Sequence, residues 1–142
     1  MNLILRNKNL LFSVTVLAFI FSMTLIPQKV SGQEKEVEQA WVNHLAKGDA
    51  KKLSAFLGAA ITLELPSQNG SFSKNQAVVM LTEFFSIYPA EKVIIKQTGT
   101  TSSTAMFFIG EYQCRTTDYR LYVLMNNSSG DYLIHSLSIT KK

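Results

Sequence analysis

The stretch that decides the fold is residues 72–88, FSKNQAVVMLTEFFSIY. Its apolar side chains recur at the spacing of one helical face, at Ala77, Leu81, Phe84, Phe85 and Tyr88. Ser73 and Gln76 have the spacing of a capping box, which predicts the start of a helix, and Pro89 predicts its end. Burying each large apolar side chain contributes roughly 1.5–3 kcal/mol. This helix should therefore be held against a partner surface by its aromatic side.

The residues after Pro89 should supply that surface as a β-sheet. Segments rich in β-branched and aromatic residues predict four strands, at residues 91–97, 104–114, 119–126 and 132–140. The separators between the last three are short and polar, and short connections join antiparallel neighbours, so these strands should form a meander. Before the long helix, the pattern predicts a helical hairpin at 34–47 and 50–57, a strand at 60–65 and a polar loop at 66–71. Asp49 is a suitable N-cap for the second helix of the hairpin, which Gly58 should end.

The first 32 residues have the layout of a secretory signal peptide. Arg6 and Lys8 precede an apolar run over residues 10–26, and Val30 and Gly32 supply small residues at the −3 and −1 positions of a cleavage site. We predict cleavage after Gly32, a mature single domain at residues 33–142 with no membrane attachment, and a secreted or periplasmic location. The alternative is an uncleaved anchor, because the apolar run is at the lower edge of the roughly 17–25 residues that a spanning helix needs.

The composition of the mature chain excludes several classes of partner. The leader contains three of the 14 basic residues and none of the 10 acidic ones, so the mature domain keeps 11 basic and 10 acidic residues, a net charge of +1. It has no stripe of Lys and Arg with interleaved aromatic residues, and nucleic-acid binding is not expected. Two isolated histidines and one cysteine lack the spacing of zinc ligands, and no glycine-rich phosphate loop is present. No metal and no cofactor are therefore expected.

Cys114 is the only cysteine, so no internal disulfide can form and the hydrophobic core must stabilise the exported domain. Cys114 can be a small apolar strand residue. It can also be a reactive thiol, either beside Arg115 or paired with His135 as a thiol and a base on neighbouring strands.

Side-chain alternation gives the sheet two different faces. The face expected to cover the core carries Met106, Phe108, Tyr112, Cys114, Leu121, Val123, Met125, Leu133, His135, Leu137 and Ile139. The opposite face still carries five large apolar side chains, Phe107, Ile109, Tyr122, Leu124 and Ile134. A sheet face in contact with water is usually more polar, so this face should have a partner. A homodimer through the sheet is the simplest candidate.

The order of these segments resembles a known family. The sequence stretches GDAKKLSAFLGAAITLEL, FSKNQAVVMLTEFF, IGEY, DYRLYVLM and YLIHSLSI are similar to the secreted bacterial family called domain of unknown function 4783. The resemblance covers residues 34–140 and implies an α+β fold of the nuclear transport factor 2-like (cystatin-like) kind. In that fold a curved antiparallel sheet packs on a long helix to make a cone, with a helical hairpin at the N-terminus. The family has no established activity, so the resemblance transfers no catalytic residue.

The wider fold often encloses a cavity between the helix and the concave sheet. The ligand-binding residues expected there are Trp41, His44, Tyr88, Tyr112 and His135. Two functions remain open: a non-catalytic domain that binds a small apolar ligand or a protein, and a small isomerase- or dehydratase-like enzyme. The enzyme needs a cavity histidine oriented by a carboxylate as its general base, whereas a histidine on an apolar face can instead be satisfied by a backbone carbonyl. The carboxylates are better explained as caps, turn residues and outward side chains, which favours the non-catalytic function.

Overall fold

The computed structural model describes residues 32–128 and 130–142. Within them the elements follow the order α1 (Gly32–Ala46), α2 (Ala50–Leu53), a 3₁₀ helix (Ser54–Phe56), β1 (Leu57–Leu65), β2 (Gln68–Ser73), α3 (Lys74–Ile87), β3 (Ala90–Ser102), β4 (Ala105–Cys114), β5 (Asp118–Ser128) and β6 (Asp131–Lys141). Apart from Gly32, the predicted signal peptide lies outside the described residues. Among the helices that are described, none has the length and apolar character needed to cross a bilayer.

The six strands form one sheet in the order β2-β1-β6-β5-β4-β3. Neighbouring strands are antiparallel except β1 and β6, which are parallel. The predicted meander of the last three strands is confirmed, and β3 extends it. The predicted loop at residues 66–71 is wrong, because β2 pairs with β1 across a turn at Pro66 and Ser67. β2 is an edge strand with mostly exposed side chains, so its pairing leaves no apolar pattern in the sequence.

The long helix α3 begins and ends where the sequence predicts. The backbone N–H of Gln76 donates to Ser73 Oγ (3.3 Å), and the N–H of Ser73 donates to Gln76 Oε1 (3.0 Å), which completes the capping box. Tyr88 is the C-cap, and its N–H donates to the carbonyl of Phe84 (2.8 Å). The buried residues of α3 are Ala77, Leu81, Phe84 and Phe85. The predicted apolar face of the helix is therefore confirmed.

The helical hairpin before the sheet is shorter than predicted. Gly48 has φ +66° at the end of α1, and the carboxylate of Asp49 accepts a hydrogen bond from the N–H of Lys52 (3.0 Å), as expected for an N-cap. The predicted second helix at 50–57 is wrong beyond its first turn, because a 3₁₀ helix follows α2 and Leu57 already pairs with β6. Gly58 therefore lies inside β1 and does not end a helix.

A β-bulge in β6 changes which of its side chains face the core. The pairing of β5 with β6 shifts by one residue, and His135 is left without an opposite residue. Ile134 is fully buried, while Leu133 and His135 are half-buried. The prediction that Leu133 and His135 cover the core and that Ile134 faces outward was wrong, because an extra residue reverses the alternation. In β4 and β5 the predicted faces are confirmed.

β3 is an irregular edge strand. Its pairing with β4 shifts register at three places and leaves Glu91, Lys96 and Thr101 without opposite residues. Beside the middle shift the two backbones come so close that a Cβ atom on Gly110 would lie 2.1 Å from the carbonyl oxygen of Ile94. Only glycine can occupy this position without moving β3.

Replacement of Phe84 by alanine should lower the free energy of unfolding by about 3–5 kcal/mol, because the ring is 4% exposed and its loss leaves a cavity. Urea denaturation of the purified domain measures this change. Val79→Ala is the control, since Val79 lies on the same helix and is 68% exposed, and its effect should stay within about 0.5 kcal/mol. Equal effects of the two substitutions would contradict the assignment of the helix faces.

Candidate functional site

Tyr88 and Tyr112, two of the predicted site residues, meet in a cluster of five aromatic rings between α3 and the sheet. We call Phe84, Phe85, Tyr88, Tyr112 and Tyr119 the aromatic cluster. Phe84 lies 5.3 Å from Tyr88 and 5.5 Å from Tyr112 between ring centroids, and Tyr112 lies 6.4 Å from Tyr119. Tyr112 has no exposed surface and Tyr119 has 1%. The rings thus fill the space in which the resemblance predicts a cavity.

The hydroxyl group of Tyr112 in this cluster forms a hydrogen bond inside the protein. The Tyr112 hydroxyl donates a hydrogen bond to the carbonyl of Tyr88 (2.7 Å), and the thiol of Cys114 donates to the same oxygen (3.6 Å). These bonds satisfy a carbonyl at the C-terminus of α3, which has no partner inside the helix. Burial raises the pKa of the Tyr112 hydroxyl, so Tyr112 acts as a neutral donor.

The structure does not support a reactive Cys114. The thiol is buried, and this burial raises its pKa, whereas a reactive thiol needs a lowered one. The pairing of Cys114 with His135 on neighbouring strands was wrong, because β5 separates β4 from β6. Cys114 lies beside the start of β5 and His135 beside the Leu124–Met125 step of the same strand, roughly 25 Å apart along it.

Trp41 and His44 lie on α1, three residues apart. The ring of Trp41 packs edge-on against Phe108 with centroids 5.3 Å apart, and the ring of His44 lies 6.0 Å from Phe56. Trp41 Nε1 and His44 Nδ1 are both buried and have no hydrogen-bond partner among the described residues. The prediction that a backbone carbonyl accepts a hydrogen bond from His44 is therefore wrong for Nδ1. A buried polar group without a partner costs about 1–3 kcal/mol, which makes these two nitrogens the exceptional polar atoms of the interior.

His135, the fifth predicted site residue, lies apart from the aromatic cluster along the strands, because Tyr119 pairs with Lys141, six residues from His135 on β6. It occupies the bulge of β6, where its ring covers Gly58: a Cβ atom on Gly58 would lie 3.5 Å from His135 Cε1. Neither His135 nor His44 forms a hydrogen bond or an ion pair with a carboxylate in the described part of the chain. The orientation that a general base requires is thus not provided by the described carboxylates.

Ligand-sized grooves lie at the surface of the described residues, and three of them are formed as follows. One of about 710 Å³ runs between α1 and β3 over Val42, Ala46 and Ile95. A second of about 320 Å³ lies beside Phe85, and a third of about 670 Å³ lies at the turn between β1 and β2. None of these three grooves is lined by a predicted site residue. Within residues 32–128 and 130–142, no three His, Cys, Asp or Glu side chains come close enough to hold a metal ion.

On β4 and β5, the face of the sheet that points away from the described helices carries four large apolar side chains. We call Phe107, Ile109, Tyr122 and Leu124 the outer patch. Phe107 lies opposite Leu124, and Ile109 lies opposite Tyr122, on the adjacent strands β4 and β5. All four are half-buried. The ring of Phe107 reaches Gly99 on β3, where a Cβ atom would lie 2.5 Å from Phe107 Cζ. The outer patch is therefore a contiguous group of apolar side chains on two adjacent strands.

A charged group borders the outer patch at one end. The carboxylate of Glu111 accepts hydrogen bonds from Lys96 Nζ and Lys142 Nζ, and from Gln113 Nε2 (3.1 Å). The two lysines lower the pKa of Glu111 from 4.5 to about 2. Arg120 lies opposite Glu111 on β5, is exposed, and forms no ion pair within the described residues. The alternation pattern placed Glu111 on this face but not its lysines, which come from a β3 bulge and from beyond β6.

Comparisons with known proteins agree with the predicted resemblance. A family model described as domain of unknown function (DUF4783) matches residues 39–140. No curated protein matches the sequence. A DUF4783 family protein from Bacteroides uniformis is similar in structure, with a TM-score of 0.70, 20% identity, and coverage of 75% of this chain and 97% of that one.

Two further solved structures show the same architecture. A nuclear transport factor 2-like protein from Cytophaga hutchinsonii has a TM-score of 0.58 and 12% identity, and the match covers 80% of this chain and 100% of that one. A ketosteroid isomerase-like protein from Erwinia carotovora atroseptica has a TM-score of 0.61 and 16% identity, with 75% and 92% covered. At these identities the likeness shows the fold alone, and it confirms the predicted α+β cone.

Glu111 should make the stability of the domain depend on acid pH. Because its pKa is lower in the folded chain than the ordinary value of 4.5, its contribution is fully present above about pH 4.5 and is lost as the pH falls towards 2. Melting temperatures measured between pH 2 and pH 6 should therefore fall less steeply for Glu111→Gln than for the wild type. Glu83→Gln is the matched control, since Glu83 is an exposed carboxylate of α3 with no lysine bonded to it. An unchanged slope in Glu111→Gln would contradict the role of the two lysines.

Proposed function

This chain belongs to the DUF4783 family, and we propose that it acts as a secreted or periplasmic, non-catalytic binding domain whose partner is a second copy of itself. The outer patch carries this proposal. Four large apolar side chains lie together on a face that none of the described helices covers, and contiguous apolar patches of this kind mark protein interaction sites. Most of the other large apolar side chains among the described residues are buried in the core.

The filled interior supports binding at the surface. Among the described residues, the fully buried set contains apolar and aromatic side chains but no acidic, basic or amide side chain. A general acid or base inside the cone would need such a group beside a substrate. The enzyme alternative, with His44 or His135 as the base, would therefore require a carboxylate that the described hydrogen bonds do not supply.

The proposed location rests on the leader. A basic start, an apolar run and small residues before Gln33 are the three parts of a cleavable export signal. The single buried cysteine suits an oxidising compartment, because a buried thiol with a raised pKa is protected from oxidation.

A small, mostly apolar ligand is the second candidate partner. Trp41 Nε1 and His44 Nδ1 favour it, since a ligand with one hydrogen-bonding oxygen could satisfy buried nitrogens that the described chain leaves without partners. Trp41, His44, Tyr88, Tyr112 and His135 stay the proposed ligand-binding residues, although the first four lie in two separate groups.

The dimer should be visible by sedimentation equilibrium between 1 and 100 µM protein. Leu124→Arg places a charge in the centre of the outer patch and should weaken dimerisation at least about tenfold. Val79→Arg is the matched control, because Val79 is also an exposed apolar residue but lies on α3. A wild-type chain that stays monomeric over the whole range would contradict the homodimer.

Native mass spectrometry of protein purified from its own host tests the location and the ligand together. We expect the mass of residues 33–142, because cleavage after Gly32 removes the leader. A bound molecule should add to this mass in the wild type, and Trp41→Phe, which removes only the indole N–H, should reduce its occupancy. A full-length mass would contradict cleavage, and a chain without any adduct would remove the ligand candidate.

A further inference from the structure

One end of the outer sheet face has a net positive charge. On β4 and β5, the outward rows at this end are Glu111–Arg120 and Gln113–Asp118, and the outer patch lies beside them. We call these two rows, with their neighbours on β3 and β6, the basic end. Its charged side chains are four basic and two acidic, which leaves a net charge of +2: Lys92, Lys96, Arg120 and Lys142 with Glu111 and Asp118.

The other end of the same face is acidic. Asp131 on β6 lies opposite Ser128, and Ser128 is on the same side of β5 as Leu124 because it is four residues further along the strand. Asp131 is exposed and forms no ion pair within the described residues. It is the one charged side chain that the described residues of β3 to β6 bring to this end, which we call the acidic end.

A dimer of identical chains joins the same patch of both copies around a two-fold axis. When two sheets meet face to face, this axis runs either along the strands or across them. An axis along the strands places the basic end of one copy on the basic end of the other. An axis across the strands reverses one copy, so that each basic end lies on the acidic end of the partner subunit.

We infer that the dimer axis runs across the strands at the level of Val123, so that oppositely charged ends meet on both sides of the outer patch. This inference rests on the proposed function and adds the geometry that the proposed function leaves open. Val123 lies midway between Tyr122 and Leu124, so the reversal exchanges the two apolar rows. Tyr122 then lies on Leu124 of the partner subunit, and the apolar contacts are retained.

Net charge selects this axis over the other. Like charges placed against each other at an interface oppose association, whereas complementary potentials favour it and fix the orientation of the partners. An axis along the strands would bring together two ends of net positive charge and, at the other side, two copies of Asp131. The axis across the strands replaces both repulsions with attraction. Because whole ends attract each other, Glu111 keeps its bonds to Lys96 and Lys142.

The twist of the sheets reduces this attraction without reversing it. Stacked sheets cross at about 30°, which moves the facing ends sideways relative to each other. Ser128 is five residues from Val123, roughly 17 Å along the strand, so the sideways shift at the acidic end is about 9 Å. This shift is comparable to the screening length of about 8 Å at physiological salt. The ends therefore still attract each other across the crossing.

The area of the face sets the expected strength. Five strands, from β3 to β1, at about 4.8 Å spacing, with four rows at about 6.6 Å, cover roughly 600 Å² per copy. The pair would bury roughly 1,200 Å², which is at the lower end of specific interfaces. Measurements therefore need a concentration series that reaches 100 µM.

A spin label at Ser128 measures the direction of the axis. Ser128 is exposed at the acidic end, and Ser128→Cys provides a thiol there, while the wild type with its buried Cys114 is the labelling control. An axis across the strands separates the two Cα atoms of residue 128 by roughly 35 Å, because each lies about 17 Å from the axis and the sheets are about 10 Å apart. An axis along the strands would bring them within about 20 Å. Double electron–electron resonance on the dimer measures this distance.

Two charge substitutions give an independent readout. Arg120→Gln should weaken the dimer about threefold and Asp131→Lys at least about fivefold, because each reduces the attraction between facing ends. With an axis along the strands, Arg120→Gln would instead strengthen the dimer, since it reduces the repulsion between two basic ends. Glu83→Lys is the matched control for Asp131→Lys, because Glu83 is an exposed carboxylate on α3, and it should change the affinity less than about twofold. Sedimentation equilibrium gives the dissociation constants, and circular dichroism melts show that each variant is folded.

The salt dependence of the wild-type dimer has the same sign as the charge effect. Raising the salt concentration from 50 to 500 mM should weaken the dimer, because salt screens the attraction between its ends. A dimer held with its basic ends together would become tighter in the same series.

The outcomes separate the two proposals. A label distance within about 20 Å, or a dimer that Arg120→Gln and salt both strengthen, would overturn the axis but leave the homodimer standing. A dimer whose affinity neither charge substitution changes would also overturn the inference, because charge selects the axis. A wild type that stays monomeric up to 100 µM would overturn the proposed homodimer itself.

Discussion

The packing of Phe84 against Tyr112 and Tyr119 joins the helical layer to the sheet, and the rest of the structure depends on it. The ring centroids lie 5.5 and 6.0 Å apart, a range in which aromatic pairs stabilise each other beyond their buried area. The cap at Ser73 and the end at Tyr88 fix the length of α3, so Phe84 reaches the two tyrosines. The hydrogen bond from Tyr112 to the carbonyl of Tyr88 then holds the end of the helix against β4. With a single cysteine, the chain has no disulfide to replace these contacts.

The sequence predicted the elements whose signals are local. The capping box and the spacing of the apolar residues in α3 are signals within one helix. In β4 and β5, every second side chain faces the core, and this alternation is a signal within each strand. β2 was missed, because an edge strand can pair through its backbone while its side chains stay polar. The faces of β6 were wrong around His135, because the bulge depends on how β6 fits between β5 and β1. Such a fit involves residues far apart in the chain.

The candidate site was less predictable than the fold. The prediction of Trp41 and Tyr112 as site residues depends on a cavity that the fold often has, but aromatic rings of this chain close that space. The outer patch could be predicted from the sequence. Alternation along β4 and β5 shows large apolar residues on both faces of each strand, and this pattern is read without knowing the tertiary structure. The charges beside it could not be predicted, since Glu111 meets Lys96 and Lys142 only through the register of the four strands from β3 to β6. The residue types therefore predicted the apolar surface, whereas the charged contacts at its border follow only from the pairing of the strands.

The irregular edge of the sheet protects the protein from uncontrolled growth. A long, straight edge strand offers a template on which further strands can add without limit, and this is how amyloid fibres extend. The three register shifts of β3 interrupt its row of free N–H and C=O groups, and Lys92 and Lys96 bring charge to the same edge. Association through the outer face would leave that edge uncovered. A chain whose single cysteine allows no internal disulfide thus has a built-in barrier against fibril formation.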